Sequence, residues 1–288
     1  MKNVVIWFLI CSIYWTLTFA QADKTDQEIR LLVRGDDIGF SHAANLGCIE
    51  SYKYGIMRSV EIMVPTPWFM EAVQMLNENP ALDVGIHLTL TSEWSNLRWR
   101  PLTRAKSIVD SNGYFFPMVW PNKDLPPGTS IHESDWNINE IEKELRAQIE
   151  LAMQHLANIS HITDHMAFTS LDPSLEQLVD KLAEEYNLDV NYYDDAIERF
   201  PGWEQAQTLQ QRIDYFIFNL EELQPGTYIF VDHPAKDTPE MRSVHHKGYE
   251  NVAEDRDWVT RVFTDSRVKK TIREKNIRLI SYKDLRNK

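Results

Sequence analysis

Cysteine is scarce in this chain of 288 residues, which contains only Cys11 and Cys48. Cys11 lies in an apolar run near the amino terminus that we interpret below as a removable signal. The mature protein would then keep one thiol and could form no internal disulfide, so its stability must come from a hydrophobic core. The length allows a large core, and one α/β barrel of about 250 residues fits it as well as two smaller domains would.

Basic residues are also few, because 30 Lys and Arg stand against 43 Asp and Glu and give a formal net charge of −13. Proteins that bind nucleic acid need a basic face for the phosphates, so this balance argues against such a partner. A neutral or weakly charged substrate fits better. Tryptophan, in contrast, is abundant, with nine copies, and indole rings either fill cores or stack on sugars.

Long apolar runs are absent except for one, from Val4 to Phe19. It follows the basic start Met1-Lys2 and precedes Ala20-Gln21-Ala22, which has the small-x-small form of a signal-peptidase site. We predict a secretory signal peptide over residues 1–22 and an exported protein, periplasmic or extracellular, with no membrane span after cleavage. An uncleaved anchor is the alternative, but the run is short for a span and no basic residues follow it directly.

Apolar, β-rich segments alternate with helical patterns along the rest of the chain. The predicted strands cover residues 30–35, 59–65, 83–90, 161–166, 188–193, 227–232 and 277–282, and the predicted helices cover 42–54, 68–78, 139–157, 172–186, 206–222 and 256–275. Such alternation implies a parallel sheet with right-handed crossovers. We predict one domain over residues 23–288, of the α/β class, folded as an irregular (β/α) barrel with about seven parallel strands.

Residues 91–137 interrupt this alternation, since they are rich in tryptophan and proline and show no sustained period. A long connection without regular structure usually forms the wall or lid of a site. We therefore consider Trp94, Trp99 and Trp120 as candidates for stacking on a sugar ring.

Two adjacent carboxylates, Asp36 and Asp37, follow the apolar run of residues 31–33. Successive side chains of a strand face opposite ways, so both can reach one site only if the chain turns there, which Gly35 and Gly39 allow. Two carboxylates this close repel each other as anions unless they share a proton or bind a cation. On this segment alone, a solvated turn is an equally good interpretation.

Histidines mark the ends of three other predicted strands: His87, His165 and His233. The carboxyl ends of parallel strands converge on the ligand site in α/β folds. His161 precedes His165 by about 13 Å on an extended strand at about 3.3 Å per residue, so one ion cannot bind both, and His165 is the better ligand. A carboxylate and two imidazoles can hold a divalent cation, as in zinc hydrolases or non-haem iron enzymes, although each histidine alone could be a core residue.

Taken in order, these segments resemble the YdjC-like carbohydrate deacetylases, the family that contains the chitooligosaccharide deacetylases. The segments are Arg34-Gly-Asp-Asp-Ile-Gly-Phe-Ser41 with Asn45 and Gly47, Tyr54-Gly-Ile56 with Ser59, Asp83-Val-Gly-Ile-His-Leu-Thr-Leu90, His161-x3-His165, His233-Pro234 and Arg278-Leu-Ile-Ser-Tyr-Lys-Asp-Leu285. They extend across essentially the whole mature chain, and the Asp-Asp and Gly-x-His-Leu motifs are fairly specific together.

The resemblance implies an irregular (β/α) barrel and metal-dependent removal of an acetyl group from an N-acetylated mono- or oligosaccharide. Carried over by position, Asp37, His87 and His165 would hold one divalent ion, and Asp36 would be the base. Zinc is our first choice of ion for this mixed N/O set, and magnesium is the alternative. In such a reaction His233 could protonate the leaving amine, and His161 would orient a ligand or line the pocket.

The chain departs from the family pattern in two places. The family usually has Thr-His-Ile-Asp-Ser-His followed by another histidine, whereas this chain has Ser160, Thr163, Asp164 and Ala167 at four of those positions. The family's aspartate at position 163 and its trailing histidine are thereby lost. The usual Asn-Ala-Asp-Asp is Arg34-Gly-Asp-Asp here, which puts a cation beside the acidic pair.

Two other functions remain compatible with the residues. A metal-free glycoside hydrolase would use Asp36 or Asp37 with a second carboxylate such as Glu93, which explains the tryptophans but gives the histidines no role. A secreted, non-catalytic sugar-binding protein would keep the metal as a structural element of a decayed site. A metal assay separates the first from a deacetylase, and turnover of an acetylated sugar separates the second.

Overall fold

The computed structural model describes residues 28–190, 197–203 and 205–286. Its strands are β1 (Ile29–Ile38), β2 (Ser59–Ile62), β3 (Asp83–Leu88), β4 (Ile159–Asp164), β5 (Asp189–Val190), β6 (Ile197–Arg199), β7 (Gly226–Asp232) and β8 (Arg278–Ile280). Its helices are α1 (His42–Lys53), α2 (Phe69–Asn77), α3 (Ile138–His155), α4 (Pro173–Tyr186), α5 (Leu209–Glu222), α6 (Val252–Thr264), α7 (Ser266–Glu274) and α8 (Tyr282–Arg286). The predicted signal peptide lies outside the described residues.

The strands form one parallel sheet, in the order β5-β4-β3-β2-β1-β7-β6. Strand β1 is central: β7 pairs along one side of it, while the other side pairs with β8 near the start of β1 and with β2 near its end. The sheet curls, which confirms the predicted α/β class and irregular (β/α) barrel. Since every pairing between strands is parallel, the carboxyl ends of the strands lie on one side of the sheet.

Strand β1 forms the middle of the core because Leu31, Leu32 and Val33 are completely buried. A continuous apolar run of this kind is typical of a strand that is covered on both faces. Helix α3 buries the stripe that includes Ile141, Leu145 and Ile149, as expected for an amphipathic helix packed on a sheet.

Two details differ from the sequence prediction. The helix predicted over 256–275 is divided into α6 and α7 at Asp265, whose side chain accepts hydrogen bonds from the backbone of Arg267 and Val268 and so caps a new helix. The short strand β6 was not predicted, and the predicted strand over 188–193 is described only as far as Val190. None of the helices in the described ranges is long and apolar enough to cross a membrane.

The connection between β3 and α3 contains only short 3-10 turns, at Lys106–Ile108 and Ile131–Glu133. It nevertheless buries apolar side chains of its own, among them Ile108, Phe115 and Ile131. The segment therefore packs against the barrel as part of the hydrophobic core.

Candidate metal centre and active site

The acidic pair lies at a distortion near the end of β1. Asp37 has a φ of 70°, in the left-handed region, and the pairing of β1 with β2 shifts register between Gly35 and Ile38. This turn puts the carboxylates of Asp36 and Asp37 into one site, as expected from Gly35 and Gly39 in the sequence. Glycine also suits position 35 because a Cβ atom there would displace the Met57 sulfur and lie 3.3 Å from the Pro234 ring.

Asp37, His87 and His165 come together at this point. Asp37 Oδ1 lies 3.6 Å from His87 Nε2 and 3.4 Å from His165 Nδ1. All three residues are buried, and within the described ranges Asp37 Oδ1 accepts no hydrogen bond. A buried carboxylate oxygen that lies between two imidazole nitrogens and accepts no hydrogen bond fits a divalent cation, because the ion would bind all three atoms. The predicted ligands thus form a group of three within 4.8 Å.

The other oxygen of Asp37 is held by Arg256. Arg256 Nη1 donates to Asp37 Oδ2 at 2.9 Å, and its guanidinium lies over the rings of Phe40 and Trp94. Burial alone would raise the pKa of Asp37, but His233 and Arg256 outweigh it and hold the pKa well below its usual range. Sequence reasoning missed Arg256, which lies on α6 in a segment without a motif.

The two imidazoles differ in charge. Burial, helped by the nearby His165, lowers the pKa of His87 to about 3, so this ring is neutral. Burial also disfavours the charged form of His165, but Glu93 and Asp37 outweigh it and raise the pKa of His165 to about 10. His165 Nε2 lies 3.2 Å from Glu93 Oε2. A cation bound between Asp37 and His165 would take the place of a proton on Nδ1.

Asp36 is paired with Arg34, the cation that the sequence puts beside the acidic pair. Arg34 Nε lies 2.7 Å from Asp36 Oδ1, and Arg34 Nη2 donates to Asp36 Oδ2 at 2.8 Å. Asp36 Oδ2 is also 3.8 Å from His87 Nε2. The carboxylate of Asp36 is therefore fixed next to the candidate metal ligands.

His233 lies directly after β7 and reaches the same site. Its Nε2 is 3.8 Å from Asp37 Oδ2, and 39% of its side chain is exposed. Burial lowers the pKa of His233, but Asp37 outweighs burial and the net pKa is raised. Asp36, His87, His165 and His233 all open onto one cavity of about 390 Å³. The remaining lining residues are Arg34, Thr163, Asp164, Met166 and Ala167.

The prediction that Trp94 and Trp99 stack on a sugar ring is wrong. Trp94 and Trp99 are only 2% and 3% exposed. The ring of Trp94 is covered by Phe40, His246 and Arg256, and Trp99 Nε1 donates to a backbone carbonyl. Both rings belong to the core of the long connection and have no free face for a sugar.

Trp120 is different, because 44% of it is exposed. It borders a second hollow of about 470 Å³, formed by residues 118–123 together with Met166. Met166 also lines the first cavity, so the two hollows adjoin. Met166 and Ala167 both have positive φ angles, 56° and 52°, and such strained backbone is common at functional sites.

His161 does not line the cavity, so that part of its prediction is wrong. The ring is 1% exposed, and its Nε2 lies 2.6 Å from Glu61 Oε1. Thr163 Oγ1 donates to Glu61 Oε2 at 2.7 Å and lies 2.7 Å from His87 Nδ1. Sequence reasoning missed Glu61 and Thr163, although an acidic residue within the apolar strand β2 is itself an unusual signal.

The comparisons with known proteins point to one family. The profile of the YdjC-like protein family matches residues 30–274. A carbohydrate deacetylase of Clostridium beijerinckii is 30% identical over 266 residues, which cover 89% of this chain and 100% of that protein. A carbohydrate deacetylase of Listeria monocytogenes is 32% identical over 170 residues, which cover 58% of this chain and 62% of that protein.

A solved structure shares the fold. It is a crystal structure from Enterococcus faecalis V583, named for cellobiose-phosphate cleavage, with 22% identity and a TM-score of 0.69 over 90% of this chain and 99% of that one. The family profile and the full-length relative together show that this chain belongs to the YdjC-like family.

Proposed function

We propose that the protein is a metal-dependent hydrolase that removes an acetyl group from an N-acetylated mono- or oligosaccharide. One observation carries this proposal: the buried Asp37 Oδ1 accepts no hydrogen bond in the described part of the chain and lies between His87 Nε2 and His165 Nδ1, beside a cavity that also presents Asp36 and His233. The relatives named as carbohydrate deacetylases support the substrate class.

The donor set suits one divalent ion. A carboxylate oxygen and two imidazole nitrogens favour zinc. Magnesium is the alternative, although its preference for oxygen ligands makes it fit this donor set less well. When bound there, the ion supplies a Lewis acid that polarises the acetamide carbonyl and makes a water molecule more acidic. Arg256 supports this site because it keeps Asp37 anionic and directs Oδ1 towards the two histidines.

Asp36 and His233 would move the protons. Asp36, fixed by Arg34, accepts the proton of the attacking water. His233 stands at the cavity with a raised pKa, so it can carry a proton and donate it to the nitrogen that leaves the acetyl carbon. An amine that leaves without a proton is a poor leaving group, so this step is needed for amide hydrolysis.

The adjoining hollow supports an oligosaccharide as substrate. The cavity of about 390 Å³ can hold one sugar ring with its acetyl group. The next sugar would lie beyond Met166, where the exposed ring of Trp120 offers a face for stacking.

We also propose, from the apolar run at the amino terminus, that the enzyme is exported. Amino-terminal sequencing of the secreted protein should then give Asp23 as the first residue.

A non-catalytic sugar-binding function is the second candidate, and the pairing of Arg34 with Asp36 favours it. The guanidinium lies within 2.8 Å of both carboxylate oxygens and so occupies the positions at which Asp36 would take up a proton from water. The glycoside hydrolase is less well supported, because Glu93 faces His165 and is not placed as a free acid.

Product analysis separates the three candidates. The zinc-loaded protein would be incubated with oligomers of N-acetylglucosamine, and acetate, free amine and new reducing ends would be measured. A deacetylase releases acetate and amine in equal amounts, and His165→Ala abolishes the release. New reducing ends without acetate would indicate a glycoside hydrolase, and binding without any product would indicate a sugar-binding protein.

A further inference from the structure

We infer that Glu61 and Thr163 are positioning residues that fix the ring proton of His87 on Nδ1 and so keep Nε2 free to bind the metal. This inference rests on the proposed function, because it concerns the same metal centre. The carboxylate that accepts the proton of Thr163 is supplied by Glu61, from another strand of the sheet.

The three side chains come from three adjacent strands. Glu61 is on β2, His87 on β3 and Thr163 on β4, and His87 is paired in register with Thr163. Their exposed fractions are 0%, 3% and 5%. The distances from His87 Nδ1 to Thr163 Oγ1 and from Thr163 Oγ1 to Glu61 Oε2 are both 2.7 Å. Solvent therefore does not compete for these hydrogen bonds.

The direction of the hydrogen bonds follows from the number of protons. An ionised carboxylate only accepts, and a hydroxyl has one proton to donate. Thr163 gives its proton to Glu61, so Thr163 Oγ1 has only lone pairs left for His87. Nδ1 of His87 must then carry the ring proton. In a neutral imidazole this leaves the lone pair on Nε2, which is the nitrogen that faces Asp37 Oδ1.

Glu61 itself is held in place from the other side. Its Oε1 lies 2.6 Å from His161 Nε2, and His161 Nδ1 is hydrogen-bonded to Ser160. Gly85 makes room for this contact, because a Cβ atom there would lie 2.2 Å from Glu61 Oε2 and 2.4 Å from His161 Nε2. The glycine of the Gly-x-His-Leu motif is thus required by the close approach of these two side chains.

His165, the other candidate histidine ligand, has an equivalent arrangement in which no hydroxyl lies between the ring and the carboxylate. His165 Nε2 faces the carboxylate of Glu93 directly, at 3.2 Å. The second ring nitrogen of each candidate histidine ligand is therefore linked to a carboxylate, directly in His165 and through the Thr163 hydroxyl in His87. Partners of this kind fix the orientation and protonation of metal-binding histidines, and their loss typically weakens metal binding by about 10- to 100-fold.

Glu61→Gln is the decisive substitution, because it reverses the hydrogen bonds without changing the shape. The Gln oxygen can still accept from His161, and its amide group then donates to Thr163 Oγ1. The Thr163 proton is left for His87 Nδ1, which places the ring proton on Nε2. We expect zinc affinity to fall by about 10- to 100-fold, and ¹⁵N chemical shifts of the His87 ring in the metal-free protein to show the proton on Nε2.

Four further variants make the test specific. Glu61→Gln combined with Thr163→Asp supplies a carboxylate next to His87 again, so zinc affinity should return to within a few-fold of the wild type. Thr163→Val should weaken zinc binding, whereas Thr163→Ser keeps the hydroxyl and should restore it. Glu144→Gln is the matched control, because Glu144 is a fully buried carboxylate that holds the backbone of residues 102–103 and has no contact with His87.

The outcomes separate this inference from the proposed function. If Glu61→Gln binds zinc like the wild type and His87 keeps its proton on Nδ1, the inference is wrong. If Glu61→Gln does not fold, Thr163→Val and the double variant decide: unchanged zinc affinity in Thr163→Val, or no recovery in a folded double variant, also overturns it. If the wild type binds neither zinc nor magnesium, the proposed function fails, and the ¹⁵N shifts of His87 still test the hydrogen-bond direction.

Discussion

Arg256 Nη1 donates to Asp37 Oδ2 at 2.9 Å across 219 positions of the sequence, from helix α6 to the end of the central strand. The two oxygens of Asp37 therefore have different surroundings. Oδ2 is paired with a buried guanidinium, while Oδ1 faces His87 and His165 without a hydrogen bond in the described part of the chain. The arginine thereby stabilises a buried anion and leaves one of its oxygens available for a cation.

Removal of Arg256 should therefore destabilise the protein. Arg256→Gln leaves the charge of Asp37 buried with weaker compensation, and breaking a buried ion pair typically costs about 3–5 kcal/mol. We expect a loss of this size in the free energy of unfolding of the metal-free protein, measured in urea. Saturating zinc should recover part of it, because the ion compensates the same carboxylate.

Arg261→Gln is the control for that experiment. Arg261 pairs with Asp257 on the same helix, but 58% of its side chain is exposed. Because the Arg261 guanidinium is largely solvated and Asp257 also contacts Lys236 and the backbone of Asp237, the loss should be smaller than for Arg256→Gln and insensitive to zinc. Equal effects of the two substitutions would show that the Arg256 pair is not specially coupled to the metal centre.

Asp36→Asn should abolish acetate release and retain the metal. The amide keeps the shape of the carboxylate but cannot accept the proton of the attacking water. Zinc content and acetate release would be measured on the same sample. If the variant loses its zinc instead, the roles of Asp36 and Asp37 are exchanged.

His233→Ala should also retain zinc and should lower the rate of acetate release by about 10²–10⁴-fold, as expected for loss of a general acid. The pKa of His233 is raised, so the wild type keeps its proton donor until the pH rises through that raised value, and activity falls above it. The variant should lack this alkaline limb, whereas loss of a base removes the acidic limb. An unchanged profile would assign the acid to another residue.

Trp120→Ala should affect long substrates more than short ones. If Trp120 stacks on the second sugar, its loss should raise KM for a disaccharide by about 3- to 10-fold, corresponding to about 0.5–1.5 kcal/mol for such a contact. The KM for a monosaccharide should not change. Trp68→Ala is a matched control, because Trp68 is 36% exposed and does not border either hollow. Equal KM changes for both sugars would refute the subsite.

Much of the candidate site could be predicted from the sequence, for a physical reason. Parallel strands bring their carboxyl ends together, so Asp37, His87 and His165 could be expected to meet even though they are far apart in the chain. Arg256 could not be predicted, because it reaches the site from a helix and its segment resembles any charged helix surface. Its partner is determined only by the packing of α6 against α1.

For the tryptophans, the sequence predicted more sugar contacts than the structure allows. The composition of residues 91–137 indicates a functional loop, but it does not indicate which rings point into the barrel. Trp94 and Trp99 are buried, and only Trp120 faces a hollow. Glu61 carried a readable signal, since a carboxylate in a strand with apolar neighbours must find a partner when the strand is buried. The partners themselves, Thr163 and His161, depend on strand register, which the sequence did not specify.

The most direct test of the account is acetate release by the metal-stripped protein as zinc is added in known amounts. Because Asp37, His87 and His165 form one site, we predict no release without metal and a linear increase that reaches its maximum at one zinc ion per chain. Full activity in the stripped protein, or no activity at any zinc concentration with all the common N-acetylated sugars, would contradict the account.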